Sequence, residues 1–146
     1  MYKGKKISLV IPAHNEEKLI VPTLKNVPKL IDKIYVVDDA STDNMINVVL
    51  ALQKKDKRIR IIKHSKNTGP GIAIIHGYKK SSEEGYDIAV VIGGDNQMDL
   101  SEVKNFLDPI VNNEADYVKG NRFLLGGNAY KDMPLKRFIG NSVLTF

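Results

Sequence analysis

Short runs of apolar, mostly β-branched residues recur along the chain and are separated by longer polar stretches. Four clear runs and a weaker fifth occupy residues 7–11, 34–37, 59–62, 88–92 and 116–119. Apolar runs of this length suit strands that are buried on both faces, as in parallel sheets. The pattern therefore predicts five strands, of which the last has the weakest apolar signal.

The stretches between these runs predict helices, because their apolar residues recur at helical spacing. Pro22 is expected to interrupt the first helix, which would otherwise extend to about residue 26. The residues expected to cap or open the four helices are Asn15, Ser41 or Thr42, Pro70 with Gly71, and Ser101. The alternation of strand and helix predicts a Rossmann-like α/β fold, in which a doubly wound, mostly parallel sheet is flanked by helices.

The composition is that of one globular domain. The 146 residues are 42% hydrophobic and 27% charged, which allows one core and leaves too little chain for two. No apolar run reaches the ~20 residues that a membrane-spanning helix needs, and no signal peptide is expected. Cysteine is absent, which fits a reducing compartment. We therefore expect a cytoplasmic protein.

The net charge of +5 is concentrated in one basic stretch, residues 54–63. The simpler interpretation is a solvated helix end followed by a strand edge. The alternative is a surface that attracts anionic lipid or nucleic acid. Because no aromatic residues are interleaved there to stack on bases, we expect no nucleic-acid partner.

Polar residues follow three of the predicted strands directly, and this is where open α/β sheets bind ligands. The first group is Pro12, Ala13, His14, Asn15 and Glu16; the second is Asp38, Asp39, Ser41, Thr42 and Asp43; the third is Gly93, Gly94, Asp95, Gln97 and Asp99. Carboxylates at neighbouring strand ends repel one another. Such a cluster therefore predicts a crevice for a cation or for a ligand rich in hydrogen-bond donors.

Two interpretations stay open for the acidic residues. Asp38 and Asp39 either cap the following helix or accept hydrogen bonds from a nucleobase or ribose. The segment that contains Asp95, Gln97 and Asp99 is either an acidic turn or a source of hard oxygen ligands for Mg²⁺ or Mn²⁺.

Three further features bear on phosphate binding and catalysis. The turn that contains Asn67 and Gly69 leads into a helix, so it is either a plain loop or an anion site built from backbone N–H groups. His14 and His76 are interpreted as structural. Arg122 follows the fifth run and is the candidate for bidentate phosphate binding.

These segments, taken in chain order, resemble the motifs of family-2 glycosyltransferases. Residues 10–17 resemble "VIPAYNE", and residues 36–43 resemble "VVDDGSTD". Asn67 and Gly69, followed by Ala73 and Gly77, are similar to the "N-x-G…A-x-x-x-G" segment. Residues 95–97 resemble the "DADxQ" metal motif of dolichyl- and polyprenyl-phosphate sugar transferases, and residues 120–123 are similar to "GSRF".

The resemblance implies a GT-A fold, a nucleotide diphosphate sugar donor, a divalent cation (Mg²⁺ or Mn²⁺) and inversion at the anomeric carbon. It implies a catalytic role for Asp95 and Arg122, a metal site at Asp95 and Gln97, and phosphate binding by Arg122 and Arg137. The nucleotide-binding residues that it implies are Pro12, Ala13, Asn15, Glu16, Asp38, Asp39, Asn67, Gly69, Gly94 and Asp95. The acceptor would be a lipid phosphate or a saccharide, met at the cytoplasmic face of a membrane.

Two departures from the family pattern shape these expectations. The first acid of the metal motif is replaced by Gly93, and family members usually continue beyond a length of this kind. We therefore expect residues 1–146 to form the nucleotide-sugar-binding domain without its acceptor or membrane part. Residues 133–146 could begin an amphipathic helix at the bilayer or an ordinary core helix.

Two other functions remain as alternatives. A sugar-phosphate nucleotidyltransferase normally has a glycine-rich basic loop after its first strand, whereas this chain has residues 13–16, Ala-His-Asn-Glu. A non-catalytic nucleotide-binding module of the same fold would fit the loss of an acid at Gly93.

Overall fold

The computed structural model describes residues 1–120 of the protein. Its centre is a four-stranded parallel sheet with the order β3-β2-β1-β4. The strands are β1 (Ile7–Ala13), β2 (Lys33–Asp38), β3 (Ile59–Lys63) and β4 (Ile88–Val91). The four clear apolar runs are thus confirmed as strands, and the predicted parallel pairing is confirmed.

Helices alternate with the strands, as expected. They are α1 (Ile20–Lys25), α2 (Met45–Lys55), α3 (Pro70–Glu83) and α4 (Val103–Val111), the last preceded by a 3₁₀ turn at Leu100–Glu102. The connections through α1 and α2 step from β1 to β2 to β3, and the connection through α3 returns to the far side of β1. Right-handed crossovers then put α1 and α2 on one face and α3 on the other.

The core lies on both faces of β1, a central strand that pairs with β2 and β4. Val10 is fully buried, and it packs in a cluster with Tyr35, Val37 and Ala73 of α3. Small residues let α3 approach the sheet closely: a Cβ atom added to Gly77 would lie 2.2 Å from Val10 Cγ1. The close position of α3 therefore requires a residue without a side chain at Gly77.

Helix α3 begins at Pro70 as predicted, whereas the other three predicted helix starts were wrong. Asn15 has a positive φ of 56° and does not open α1, which begins at Ile20. Consequently Pro22 falls in the first turn, where no helical N–H bond is lost. Helix α2 begins at Met45. Asp99, rather than Ser101, caps the 3₁₀ turn by accepting a hydrogen bond from the Ser101 N–H.

The predicted fifth strand was also wrong. Residues 116–119 are not in a strand, and Tyr117 is 74% exposed. Only half of the residues in this short run are apolar, so it would bury too little apolar surface to be stable as a strand at the edge of the sheet.

The chain divides into two compact units, Met1–Lys104 and Asn105–Phe146. The sheet belongs to the first unit, and the second is described as far as Gly120. Over residues 1–120, no helix is long and apolar enough to cross a membrane.

Candidate functional site

The order of strands reverses between β1 and β4, because the chain steps from β1 to β2 to β3 and then returns to place β4 on the other side of β1. This position is the switch point of the sheet. Open α/β sheets bind ligands outside the carboxyl ends of such strands. There the segments after β1 and β4 touch: a Cβ atom on Gly94 would lie 3.1 Å from Ala13 Cβ and 3.6 Å from Glu16 Cγ. The Thr23 hydroxyl lies 3.1 Å from the Gly94 carbonyl oxygen and 2.8 Å from the Leu19 carbonyl oxygen, so its one hydrogen is shared between these two acceptors.

Acidic groups crowd this switch point. Burial raises the pKa of Glu16, and the negative charges of Asp95 and then Asp43 raise it further. Asp95 is partly buried, and its Oδ1 accepts a hydrogen bond from the Gln97 N–H at 3.2 Å. Repulsion between Glu16 and Asp95 makes the space between the segments after β1 and β4 favourable for a cation.

The absence of a side chain at Gly93 leaves room for the Asp95 carboxylate. A Cβ atom on Gly93 would lie 2.9 Å from Asp95 Oδ1, so the carboxylate occupies space that an acid at position 93 would need. The Gln97 side chain is exposed, and Asp99 is engaged as a helix cap. In the described part of the chain, no three His, Asp or Glu side chains form a group that could hold a metal ion.

Asp39 lies just after β2 and is almost completely buried. Its Oδ1 accepts hydrogen bonds from the Thr68 N–H, the Thr68 hydroxyl and the His64 ring at 2.8–2.9 Å, and its Oδ2 accepts one from the Gly69 N–H at 2.7 Å. Burial alone raises the pKa of Asp39, but these hydrogen bonds outweigh it and lower the pKa to about 2. The ionised carboxylate therefore holds the loop that leads into α3.

Asp38 is fully buried at the end of β2. Its Oδ1 accepts a hydrogen bond from the Ser41 N–H at 3.1 Å, whereas Oδ2 is a buried oxygen that has no hydrogen-bond partner among residues 1–120. A buried carboxylate oxygen without a donor costs free energy. Asp38 therefore retains an acceptor that the neighbouring protein groups do not use.

Asn15 joins the segments that follow β1 and β2. Its Oδ1 accepts hydrogen bonds from the N–H groups of Thr42 and Asp43 at 2.8 and 3.3 Å, and its own N–H donates to the Ser41 hydroxyl at 3.0 Å. His14 adds a second link by donating from Nδ1 to the Asp39 carbonyl oxygen at 2.8 Å. These contacts fix the two loops against each other.

His64 is a residue of this site that the sequence analysis missed. It directly follows β3, its N–H donates to the Asp38 carbonyl oxygen at 2.9 Å, and its ring contacts Asp39 and His76. Its position just after a strand is the same signal that singled out the acidic residues.

The structure brings most of the predicted site residues to the carboxyl edge of the sheet. These are Pro12, Ala13, Asn15, Glu16, Asp38, Asp39, Asn67, Gly69, Gly94 and Asp95. Arg122 and Arg137 lie outside the described residues. The roles of all these residues in binding remain predictions.

The basic stretch lies mainly at the opposite edge. Lys54 and Lys55 occupy the last turn of α2, where cations complement the helix dipole. Lys54, Lys57 and Arg60 line a surface cavity of about 560 Å³ beside Lys33, the first residue of β2. Lys63 differs, because it ends β3 in register with Asp38.

Comparison with known proteins identifies the family. The sequence profile of glycosyl transferase family 2 matches residues 8–146. The chain belongs to this family. Membership confirms the resemblance that the motifs indicated.

Curated members of glycosyl transferase family 2 align with nearly the whole chain. UDP-N-acetylglucosamine–dolichyl-phosphate N-acetylglucosaminyltransferase of Methanococcus voltae is 36% identical over 97% of this chain and 61% of its own length. Dolichyl-phosphate beta-glucosyltransferase of Trichomonas vaginalis is 28% identical over 91% of this chain and 43% of its own length. The chain thus spans about half the length of these relatives.

Solved glycosyltransferase structures share the fold. Glucosyl-3-phosphoglycerate synthase of Mycobacterium tuberculosis, in complex with UDP, superposes with a TM-score of 0.59 at 24% identity over 74% of this chain and 40% of its own. A mannosyltransferase of Pyrobaculum calidifontis, in complex with GDP-Man and Mn²⁺, superposes with a TM-score of 0.57 at 20% identity over 62% of this chain and 28% of its own. The predicted GT-A fold is confirmed.

Proposed function

We propose that this chain is the nucleotide-sugar-binding part of an inverting glycosyltransferase that transfers a sugar from a nucleotide diphosphate to a lipid phosphate. The observation that carries the proposal is the contact between Gly94, Ala13 and Glu16 at the switch point. It joins two family motifs in the crevice where α/β sheets bind nucleotides. Relatives named for dolichyl-phosphate transfer support the lipid acceptor.

The donor's nucleotide would lie along the edge from β1 to β3. From residues 1–120, Asp39 Oδ2 accepts one hydrogen bond and can accept another, and Asp38 Oδ2 accepts none. Carboxylate oxygens of this kind recognise the N–H of a base or the hydroxyls of ribose. Asn15 and Asn67 would contribute by holding the loops, since their side-chain oxygens are engaged with backbone N–H groups.

Asp95 and Glu16 fit a divalent cation that is bound together with the donor diphosphate. Mg²⁺ in phosphate sites commonly uses only one or two protein carboxylates. Burial and then the negative charge of Asp95 raise the pKa of Glu16, so a cation beside them would relieve this repulsion. The cation, when bound, would neutralise charge on the departing diphosphate. The exposed side chain of Gln97 would supply a further oxygen ligand to this cation.

Transfer would be a direct displacement. The acceptor oxygen forms a bond to the anomeric carbon from one side, while the bond from that carbon to the diphosphate oxygen breaks on the other. The electron pair leaves with the nucleoside diphosphate. A lipid phosphate oxygen is already anionic, so the site would need no strong general base. Arg122 would bind phosphate of the donor or the acceptor, at the cytoplasmic face of a membrane.

The test is a transfer assay with the full-length protein. Labelled UDP- and GDP-sugars are incubated with polyprenyl phosphate and Mn²⁺ or Mg²⁺, with a chelator as control. Cation-dependent movement of label into the lipid phase is expected. Transfer to a saccharide but not to polyprenyl phosphate would contradict the proposed lipid acceptor. Cation-independent nucleotide binding without transfer would favour the non-catalytic module.

A further inference from the structure

Two histidines form a hydrogen-bonded chain that starts at Asp39. His64 Nδ1 lies 2.8 Å from Asp39 Oδ1, and His64 Nε2 lies 2.8 Å from His76 Nδ1. The two rings meet edge to face, with centroids 4.8 Å apart. Asp39 and His64 are buried, whereas His76 is exposed on α3. The chain therefore runs from the nucleotide end of the site to the surface.

The ionised state of Asp39 fixes the direction of the first hydrogen bond in this chain. With its pKa lowered to about 2, Asp39 is ionised at neutral pH and can only accept. His64 Nδ1 must therefore carry a proton. In neutral His64, Nε2 is then an acceptor, and its donor is the Nδ1–H of His76. The opposite tautomer of His64 would turn a lone pair towards the carboxylate.

His64 also lies close to the loop that Asp39 holds. Its Nδ1 is 3.1 Å from the Thr68 hydroxyl oxygen, which itself donates to Asp39 at 2.9 Å. If His76 could not donate, the buried Nε2 of His64 would lack a partner, which is costly. The His64 ring could recover a hydrogen bond at Nε2 by turning towards water, and it would then move away from Asp39. The contact with His76 therefore stabilises the arrangement of Asp39 and its loop.

We propose that His64 and His76 are positioning residues for the nucleotide end of the site. His64 holds the Asp39 carboxylate, and His76 holds His64 in the tautomer that donates to it. The assignment rests on the proposed function, because it takes Asp39 as a nucleotide contact. Neither histidine touches the reacting atoms; both act through Asp39, much as outer residues orient the ligands of a binding site.

The test compares two replacements of the exposed His76. His76→Phe keeps a ring for the edge-to-face contact but has no N–H to donate. His76→Asn places an amide N–H close to where the Nδ1–H of histidine lies. Lys79→Asn, also exposed on α3, is the control for placing asparagine in this helix. Thermal unfolding confirms that all variants fold.

The first measurement is ¹⁵N NMR of the imidazole rings in the free protein. We expect His64 to be protonated at Nδ1, and its Nε2 to show the shift of a hydrogen-bonded acceptor in the wild type and in His76→Asn. In His76→Phe that Nε2 shift should change. A wild-type His64 with an unprotonated Nδ1, or with both ring nitrogens protonated, would overturn the inference, whatever the protein binds.

The second measurement is calorimetric titration with UDP and with GDP in the presence of Mn²⁺. We expect His76→Phe to bind the preferred nucleotide about tenfold more weakly, equivalent to the loss of one hydrogen bond, with His76→Asn within about twofold of wild type. Equal binding by His76→Phe and wild type, or equal weakening in both variants, would overturn the inference alone. No binding by the wild type would overturn the proposed function as well.

Discussion

Ala40 has a backbone conformation that suits glycine better than alanine. Its φ is +58°, and the motif that it resembles, "VVDDGSTD", has glycine there. A residue with a Cβ atom in the left-handed region costs about 1–2 kcal/mol, partly offset by the greater freedom of glycine in the unfolded chain. The turn between Asp39 and Ser41 therefore stores strain.

We expect Ala40→Gly to raise the free energy of unfolding by about 0.5–1 kcal/mol, as the balance of those two effects. Ala51→Gly is the control, because Ala51 lies within α2, where glycine costs up to about 1 kcal/mol. Urea unfolding measures both. If the two substitutions destabilise alike, Ala40 is not strained.

The hydrogen bonds of Asp39 predict a dependence of stability on acid. Its folded pKa of about 2 lies below the value of about 3.9 for an unfolded aspartate. The stabilisation is thus complete above the unfolded value and is lost as pH falls through the folded one. We expect the difference in stability between wild type and Asp39→Asn to be constant near pH 5 and to shrink towards pH 2. Urea unfolding across that pH range measures this difference. A difference that does not change with pH would argue against an ionised Asp39 that holds the loop.

At the scale of elements, four strands and the start of α3 at Pro70 could be predicted, whereas the fifth strand and the other three helix starts could not. Burial on both faces leaves a mostly apolar run, which is visible in the sequence at β1 and β2. The β4 run is equally apolar, although most of its residues are only partly buried. Asn15 and Ser41 looked like helix caps, but they hydrogen-bond across the segments after β1 and β2. Such contacts join residues more than 20 positions apart, and local sequence patterns do not reveal them.

The fit of α3 against β1 makes opposite predictions for two glycines of one helix. A side chain at Gly77 would overlap Val10, whereas the space around Gly71 is open. We expect Gly77→Ala to destabilise the protein by about 1–3 kcal/mol through overpacking. Gly71→Ala should stabilise it by about 0.4–1 kcal/mol, because alanine loses less freedom on folding. Urea unfolding that shows the same sign for both would contradict the close packing.

At the scale of the whole molecule, the motifs located the edge of the sheet where the site lies. Sequence order placed polar residues after the strands, and parallel pairing then made their meeting at one edge predictable. The hydrogen bonds to the Asp39 carboxylate were not predictable, because His64 and Thr68 lie 25 and 29 residues away from it in the chain. The same holds for the approach of Gly94 to Glu16, which depends on the order of strands in the sheet.

The central claim is that a cation and a nucleoside diphosphate bind together at the switch point. Because Asp95 and Glu16 alone offer few ligands, free wild-type protein should bind Mn²⁺ weakly. UDP or GDP should strengthen Mn²⁺ binding, and Mn²⁺ should strengthen nucleotide binding by the same factor. Asp95→Ala removes a ligand, whereas Asp99→Ser removes a nearby carboxylate but keeps a capping side chain.

Calorimetric titration of Mn²⁺ with and without nucleoside diphosphate is the most direct test of this claim. The account predicts mutual strengthening in the wild type and in Asp99→Ser, and its loss in Asp95→Ala. Tight Mn²⁺ binding by the free wild type, or coupling that survives in Asp95→Ala, would contradict it.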